Sequence, residues 1–155
     1  LYWTELCIML KNNGITPIIV ELNKDWGVPP HFNGLPKGFI NKIGRPLKEV
    51  VNYMQHAEFF IGLSSGLAWL AHALNTKVAI IANFTDKEHE IPLSEPNYKR
   101  INNESVCNSC FNDTKNVFNS GDWEWCPEHR DTDRQFECHT SITPKQVFNE
   151  IKEWI

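Results

Sequence analysis

The chain has 155 residues, 41% of them hydrophobic, and a net charge of −4, enough for one compact domain with a real core. The mild acidity, with no basic stripe, argues against a nucleic-acid partner. No apolar run approaches the roughly 18 residues that a membrane-spanning helix needs, and no signal peptide is visible.

The chain opens on Leu1 and at once on a helical pattern, so it is expected to be the tail part of a longer protein. Trp3, Leu6, Cys7 and Leu10 carry the spacing of one helical face, predicting a helix over 3–13 that Gly14 stops. Pro17 to Leu22 reads as a short buried strand. Residues 23–45 form a Gly/Pro-rich loop, too long for a mere connector, in which Trp26 and His31 are candidates to touch an acceptor. Pro46 suits a first helical position, and Leu47, Val50, Val51 and Met54 mark the next helical face. Phe59 to Leu63 is a second strand, Ser64-Ser65-Gly66 a tight turn, and Leu67, Leu70, Ala71 and Leu74 trace a third helix. Val78 to Ala82 is a third strand, and Tyr98 to Ile101 adds a short one. This alternation of short apolar strands with helices predicts an α/β fold, a Rossmann-like parallel sheet with helices on both faces.

The texture changes near residue 103. Residues 104–140 are polar, rich in Asn and Asp, and hold Cys107, Cys110, Cys126 and Cys138. A Cys-x-x-Cys pair followed by two further cysteines can complete a tetrahedron around one metal, which would supply the cohesion that a polar segment lacks. The spacing suits zinc and iron, and the residues alone lean to zinc. Lys115, Arg130 and Arg134 are placed to offset the charge of four thiolates. His129 and His139 flank the last two cysteines and read as solvated surface residues, and Trp123 and Trp125 as a shield. Cys7 reads as a buried free thiol, and five cysteines in all cannot pair completely, which suits a reducing compartment. Three N-x-S/T sequons, at Asn83, Asn103 and Asn112, are what chance gives in a chain with sixteen Asn. Thr143, Pro144 and Gln146 form the start of a closing helix over 143–155, with a capping box and an apolar face of Val147, Ile151 and Trp154. The expected division is a Rossmann-like domain over 1–103, the finger over 104–140 and a C-terminal helix over 141–155.

In open α/β sheets ligands gather at the carboxyl ends of strands. The string FIGLSSGLAWLAHAL puts small and hydroxyl residues at such an end, with a helix start behind them that favours a phosphate. The bland alternative is that Ser65 caps a helix and Gly66 makes a turn. The turn is shorter than a dinucleotide fingerprint and lacks the lysine of a P-loop.

The same string resembles the donor-site strand, turn and helix of GT-B glycosyltransferases and is similar to the C-terminal half of the lipopolysaccharide heptosyltransferases. Ser64 stands where those enzymes carry Asp, and Trp69 where they carry His. With NFTD, CNSC, DWEWCPEHRDTDRQFEC and SITPKQV, residues 46–155 more closely resemble the bacterial autotransporter heptosyltransferases. That resemblance implies heptose transfer from ADP-heptose to serine hydroxyls of an autotransporter adhesin in the cytoplasm, iron on four cysteines rather than zinc, and a large homo-oligomer. It implies that Ser65, Gly66 and Leu67 hold the donor diphosphate. Ser64 and Trp69 would face sugar or nucleotide, and Asn83, Phe84 and Thr85 would line the same cleft. It also implies GT-B transfer without a divalent ion at the reacting centre. The catalytic base is expected in an N-terminal part, so no residue here is assigned as catalytic. The competing reading is a non-enzymatic metal-finger interaction module on a Rossmann-like scaffold. An electron-transfer role ranks last, because only one C-x2-C knuckle is present.

Overall fold

A computed structural model of the protein describes residues 2–21, 36–122 and 124–155. Helix α1 (Tyr2–Asn12) buries Leu6, Cys7 and Leu10 along one stripe. It stops where Gly14 takes a left-handed φ of +85° and its N–H turns back to the Lys11 carbonyl at 3.1 Å.

Strand β1 (Ile18–Ile19) pairs in parallel with β2 (Ile40–Asn41), Ile18 opposite Ile40. The expected strand over Pro17 to Leu22 is thus reduced to a two-residue ladder, and Leu22 lies outside the described residues. No apolar run marks β2, which is why it was not foreseen. Trp26 and His31 also lie outside the described residues.

Helix α2 (Leu47–Met54) buries Val50 and Met54 but leaves Leu47 exposed, so its apolar face is narrower than expected. Pro46 caps this helix in an extended conformation (φ −54°, ψ 143°) and does not form its first turn. Then follow β3 (Phe59–Leu63), α3 (Gly66–Ala73), β4 (Lys77–Ile81) and β5 (Tyr98–Ile101). The strands form one parallel sheet in the order β3-β4-β5, with Ile61 opposite Ala79 and Ile80 opposite Arg100.

The central strand explains the two-sided packing. Val78 and Ile80 point into a core built with Val50 and Met54 of α2 and Ala68 and Ala71 of α3. Ala79 faces the opposite core, with Leu6 and Leu10 of α1, Ile101, Ile142, Val147 and Ile151. Alternate residues of one strand therefore feed two cores, which is why VAII reads as a continuous apolar run. Each fully buried Ile or Val contributes roughly 1.5–3 kcal/mol of transfer free energy.

A one-turn helix α4 (Glu137–Thr140), not foreseen, carries Cys138. Helix α5 (Pro144–Ile151) starts as expected: Pro144 lies in its first turn and the Thr143 hydroxyl accepts from the Gln146 N–H at 3.2 Å. The Gln146 side-chain amide donates to the Asn102 carbonyl at 3.2 Å and ties the helix to the end of β5. Lys152–Trp154 tightens into a 3-10 turn, and Trp154 packs against Phe59 with ring centroids 6.0 Å apart.

Candidate functional site

Strand β3 delivers its chain to Ser64 and Ser65, and α3 begins at Gly66. Ser65 is the N-cap in extended conformation, yet its side chain makes no capping hydrogen bond. The first turn is closed instead by the Ser65 carbonyl, which accepts from Ala68 N–H at 3.0 Å and Trp69 N–H at 3.3 Å. The amides of Gly66 and Leu67 thus open the helix without a side-chain acceptor, the arrangement that suits an anion. A Cβ added at Gly66 would meet no heavy atom within 4 Å. Gly66 is therefore not needed for internal packing, and its bare backbone faces open space.

Ser64 and Leu67 are half-buried, while Ser65 and Gly66 are exposed. Trp69 is 44% exposed one turn into α3, with His72 edge-on to it at 6.3 Å between ring centroids. These five residues, Ser64 to Leu67 and Trp69, form one accessible strand-end surface. A cavity of about 520 Å³ runs beside it, between α1, β1 and β3. Only its rim, Ser65 and Leu67, belongs to the turn. Its wall is mainly apolar, with Leu6, Leu10, Phe60 and Ile61, and it also carries Thr16, Tyr53 and His56.

The next strand end is tied into the protein by hydrogen bonds and ring packing. Asn83 is fully buried, its amide donates to the Cys138 carbonyl, and its side-chain oxygen accepts from Asn103 N–H at 3.1 Å. Phe84 packs into an aromatic group with Phe111, Phe118 and Trp125 at centroid distances of 5.2, 6.4 and 5.5 Å. The Thr85 hydroxyl donates to Glu90. Asn83, Phe84 and Thr85 thus each make structural contacts at this strand end, Asn83 fully buried and Phe84 and Thr85 half-buried. Behind them lies a polar cluster that sequence reading missed. Arg100 Nε meets Glu90 Oε2 at 2.9 Å, its Nη2 donates to the Thr85 carbonyl at 2.9 Å, and the Tyr98 hydroxyl donates to Glu90 at 3.3 Å. Burial, first, and the Glu90 carboxylate push the Tyr98 phenol well above its ordinary range. The available sign was Arg100 at an alternating position of strand YKRI, where an inward charge demands a partner.

The four cysteines converge on this strand end. Cys126 and Cys138 are buried, Cys107 and Cys110 half-buried, and all are free thiols. Burial, then repulsion from Cys107 and the other acidic neighbours, pushes Cys110 up to about 11. Burial, then the fields of Cys107, Cys110 and Cys126, pushes Cys138 up to about 12. The four thiols thus lie near enough to feel one another's charge. Their donor chemistry fits zinc or iron, whose positive charge would reverse the penalty on the thiolates. The tightest potential ligand group is nevertheless another one: single ligand atoms of Cys107, His129 and Glu137 lie within 4.8 Å of one another. The finger also concentrates left-handed backbone at Ser109, Asp131 and Phe136, each with φ near 60° and none a glycine. Strain of this kind, of order 1–3 kcal/mol per residue, persists where surroundings over-determine the chain.

Neither flanking histidine is a solvated surface residue. His129 Nε2 lies 3.3 Å from Glu137 Oε1. His139 is packed against Phe84, lies 3.1 Å from Cys138 Sγ, and is held by burial below the ordinary histidine range. Of the expected counter-charges, Arg134 reaches the cluster: it grips Glu137, and it partly offsets the burial and the Glu137 and Cys126 charges that raise the Cys107 thiol. Arg130 is committed to Asp122. Trp125 covers the finger with Phe118, while Trp123 lies outside the described residues. Cys7 is a buried thiol raised by desolvation, as expected.

No family model matches the chain. It is 40% identical over 148 residues to the autotransporter heptosyltransferase BAHTCr of Citrobacter rodentium, covering 94% of this chain and 35% of that protein. The chain is a homologue of the autotransporter heptosyltransferases. The crystal structure of the iron-containing dodecameric glycosyltransferase TibC from enterotoxigenic Escherichia coli superposes with a TM-score of 0.89 at 38% identity, over 99% of this chain and 39% of that one. A second TibC structure, in complex with ADP-D-beta-D-heptose, gives a TM-score of 0.88 at 37% identity, over 98% of this chain and 39% of that one. BimC of Burkholderia thailandensis, an inactive autotransporter heptosyltransferase, is 36% identical over 107 residues, covering 69% of this chain and 24% of BimC. This chain therefore spans little more than a third of the length of BAHTCr and TibC. Among the described residues no helix is long and apolar enough to cross a membrane.

Proposed function

We propose that this chain is the donor-binding part of a cytoplasmic glycosyltransferase that moves heptose from ADP-heptose onto serine hydroxyls of an autotransporter adhesin. The observation that carries the reading is the turn after β3: uncapped helix-start amides, two serines and a glycine facing open space. Gly66 and Leu67 N–H groups and the Ser65 hydroxyl would hold the diphosphate, stabilising the charge that develops as the sugar departs. Ser64 and Trp69 would bound the sugar or nucleotide. The base that deprotonates the acceptor hydroxyl would come from another part of the enzyme. The likeness to a TibC structure holding ADP-heptose supports the choice of donor, and its dodecameric state supports a homo-oligomer here.

Residues 1–103 would form the donor domain, 104–140 the finger and 141–155 the closing helix. The finger would hold one structural iron through Cys107, Cys110, Cys126 and Cys138, a closed set with no open position for chemistry. The alternative ligand set is Cys107, His129 and Glu137, whose ligand atoms lie within 4.8 Å of one another. Metal analysis separates them: Cys138→Ser abolishes loading under the first and spares it under the second, and His129→Gln does the reverse.

The donor reading is tested with Gly66→Asp, which sets a carboxylate where the diphosphate would lie. Equilibrium dialysis against ADP-heptose should show binding to the wild type and loss in the variant, with metal content unchanged. Normal donor affinity in the variant would remove the turn from the site. A protein that binds metal but no nucleotide sugar would instead be the interaction module.

A further inference from the structure

We infer that Asn83 is the positioning residue of the metal finger, fixing its cysteine-bearing segments on the end of β4. The inference rests on the reading that these cysteines bind a metal. A tetrahedral site built from distant segments needs their relative placement fixed by something other than the metal. The described structure places that device at Asn83, which is 0% exposed.

Three bonds meet there. The Asn83 backbone carbonyl accepts from Ser109 N–H at 2.6 Å, inside the Cys107–Cys110 knuckle. The side-chain amide donates to the Cys138 carbonyl. The side-chain oxygen accepts from Asn103 N–H at 3.1 Å, where the chain leaves β5 for the finger. The Cys138 carbonyl is available because α4 ends too soon. Ile142 N–H, its helical partner, turns instead to the His139 carbonyl at 3.2 Å. Phe111 N–H adds a bond to the Phe84 carbonyl at 3.1 Å, and Asn112 accepts from Asp86 N–H at 2.8 Å, so the strand end and the knuckle run side by side.

A carboxamide suits this position because one buried side chain must donate and accept at once. Aspartate keeps the acceptor for Asn103 but cannot donate to Cys138, and leucine does neither. Outer partners that orient ligands typically change metal affinity by about 10–100-fold when removed. The coupling is mutual, so metal loss should loosen Asn103, Ser109 and Phe111 ahead of the sheet.

The test is cobalt(II) titration of the full chain with a competing chelator, read by the thiolate charge-transfer and ligand-field bands. Asn83→Asp and Asn83→Leu should bind about 10–100-fold more weakly and with altered ligand-field bands. Val78→Ala, in the same strand and fully buried but remote from the finger, should retain wild-type affinity and spectrum. In the wild type, hydrogen exchange after chelation should rise at Asn103, Ser109 and Phe111 while the β4 amides stay protected. This readout decides the matter even where a variant fails to fold. Wild-type affinity and spectrum in Asn83→Asp, or no change in exchange at those three amides, would overturn the inference. A wild type that takes up neither cobalt nor iron would overturn the metal reading itself, a result distinct from the other two.

Discussion

Arg100→Met is expected to be among the most damaging single changes outside the two apolar cores. The side chains of Glu90 and Arg100 are only 1% and 9% exposed, and their atoms meet at 2.9 Å. Removing the guanidinium leaves a carboxylate in the interior with only the Thr85 and Tyr98 hydroxyls, and strips the Thr85 carbonyl of its donor. Breaking a buried pair in this way costs about 3–5 kcal/mol, which for a domain of this size lowers Tm by roughly 10 °C. Glu90→Leu should cost a similar amount, because it strands the cation. The double variant Glu90→Leu/Arg100→Met removes both charges and leaves only neutral groups unpaired, at about 1–3 kcal/mol each. Taken at the middle of these ranges, it should therefore lose about 2 kcal/mol less than the two single losses combined. Urea denaturation of the four proteins of this double-mutant cycle measures the coupling. Additive losses, or an Arg100→Met cost below about 1 kcal/mol, would show that the pair behaves as a solvated surface contact.

Trp69→Ala, at an exposed position, should change stability by no more than about 0.5 kcal/mol. It should weaken nucleotide-sugar binding roughly tenfold if the indole stacks on the ligand, and calorimetry on the variant checks both the site and the fold. Gly66→Ala should fold like the wild type, since its methyl group meets nothing within 4 Å, yet lower donor affinity; thermal melts and dialysis separate the two effects. Stability should depend on pH in opposite senses with and without metal. In the metal-free protein Cys110 and Cys138 are raised to about 11 and about 12, so the fold prefers their protonated forms. That stabilising contribution is complete below the ordinary cysteine range and is lost as pH rises through those values. Metal-loaded protein needs thiolates and should instead release metal as pH falls. Urea melts across pH 6–11, with and without chelator, check the crossing trends.

The sheet was legible because the middle of β4 is buried on both faces and most of β3 is half-buried, which leaves continuous apolar runs. The start of α5 was legible because Thr143 and Pro144 carry local chemistry that needs no partner. Strand β2 was not, since Ile40–Asn41 is a strand only by virtue of β1. The Ser64–Gly66 turn stood out because a strand end and a helix start meet there within the sequence. The role of Asn83 did not, because its partners lie at 103, 109 and 138 and no local pattern links them. His129 and His139 misled for the same reason. Polar residues in a polar segment look solvated until long-range packing buries them. The cysteines suggested a metal through type and spacing, whereas the hydrogen bonds that tie residues 103, 109 and 138 to Asn83 required the three-dimensional arrangement.

The central claim is that the turn after β3 holds the diphosphate of an ADP-sugar. Calorimetric titration of the metal-loaded protein with ADP-heptose, beside a dTDP-sugar, tests it most directly. Saturable heat is expected with ADP-heptose at one molecule per chain, with weaker or no heat from the dTDP-sugar and loss of both signals in Gly66→Asp. No heat with any nucleotide sugar from folded, metal-loaded protein would contradict it.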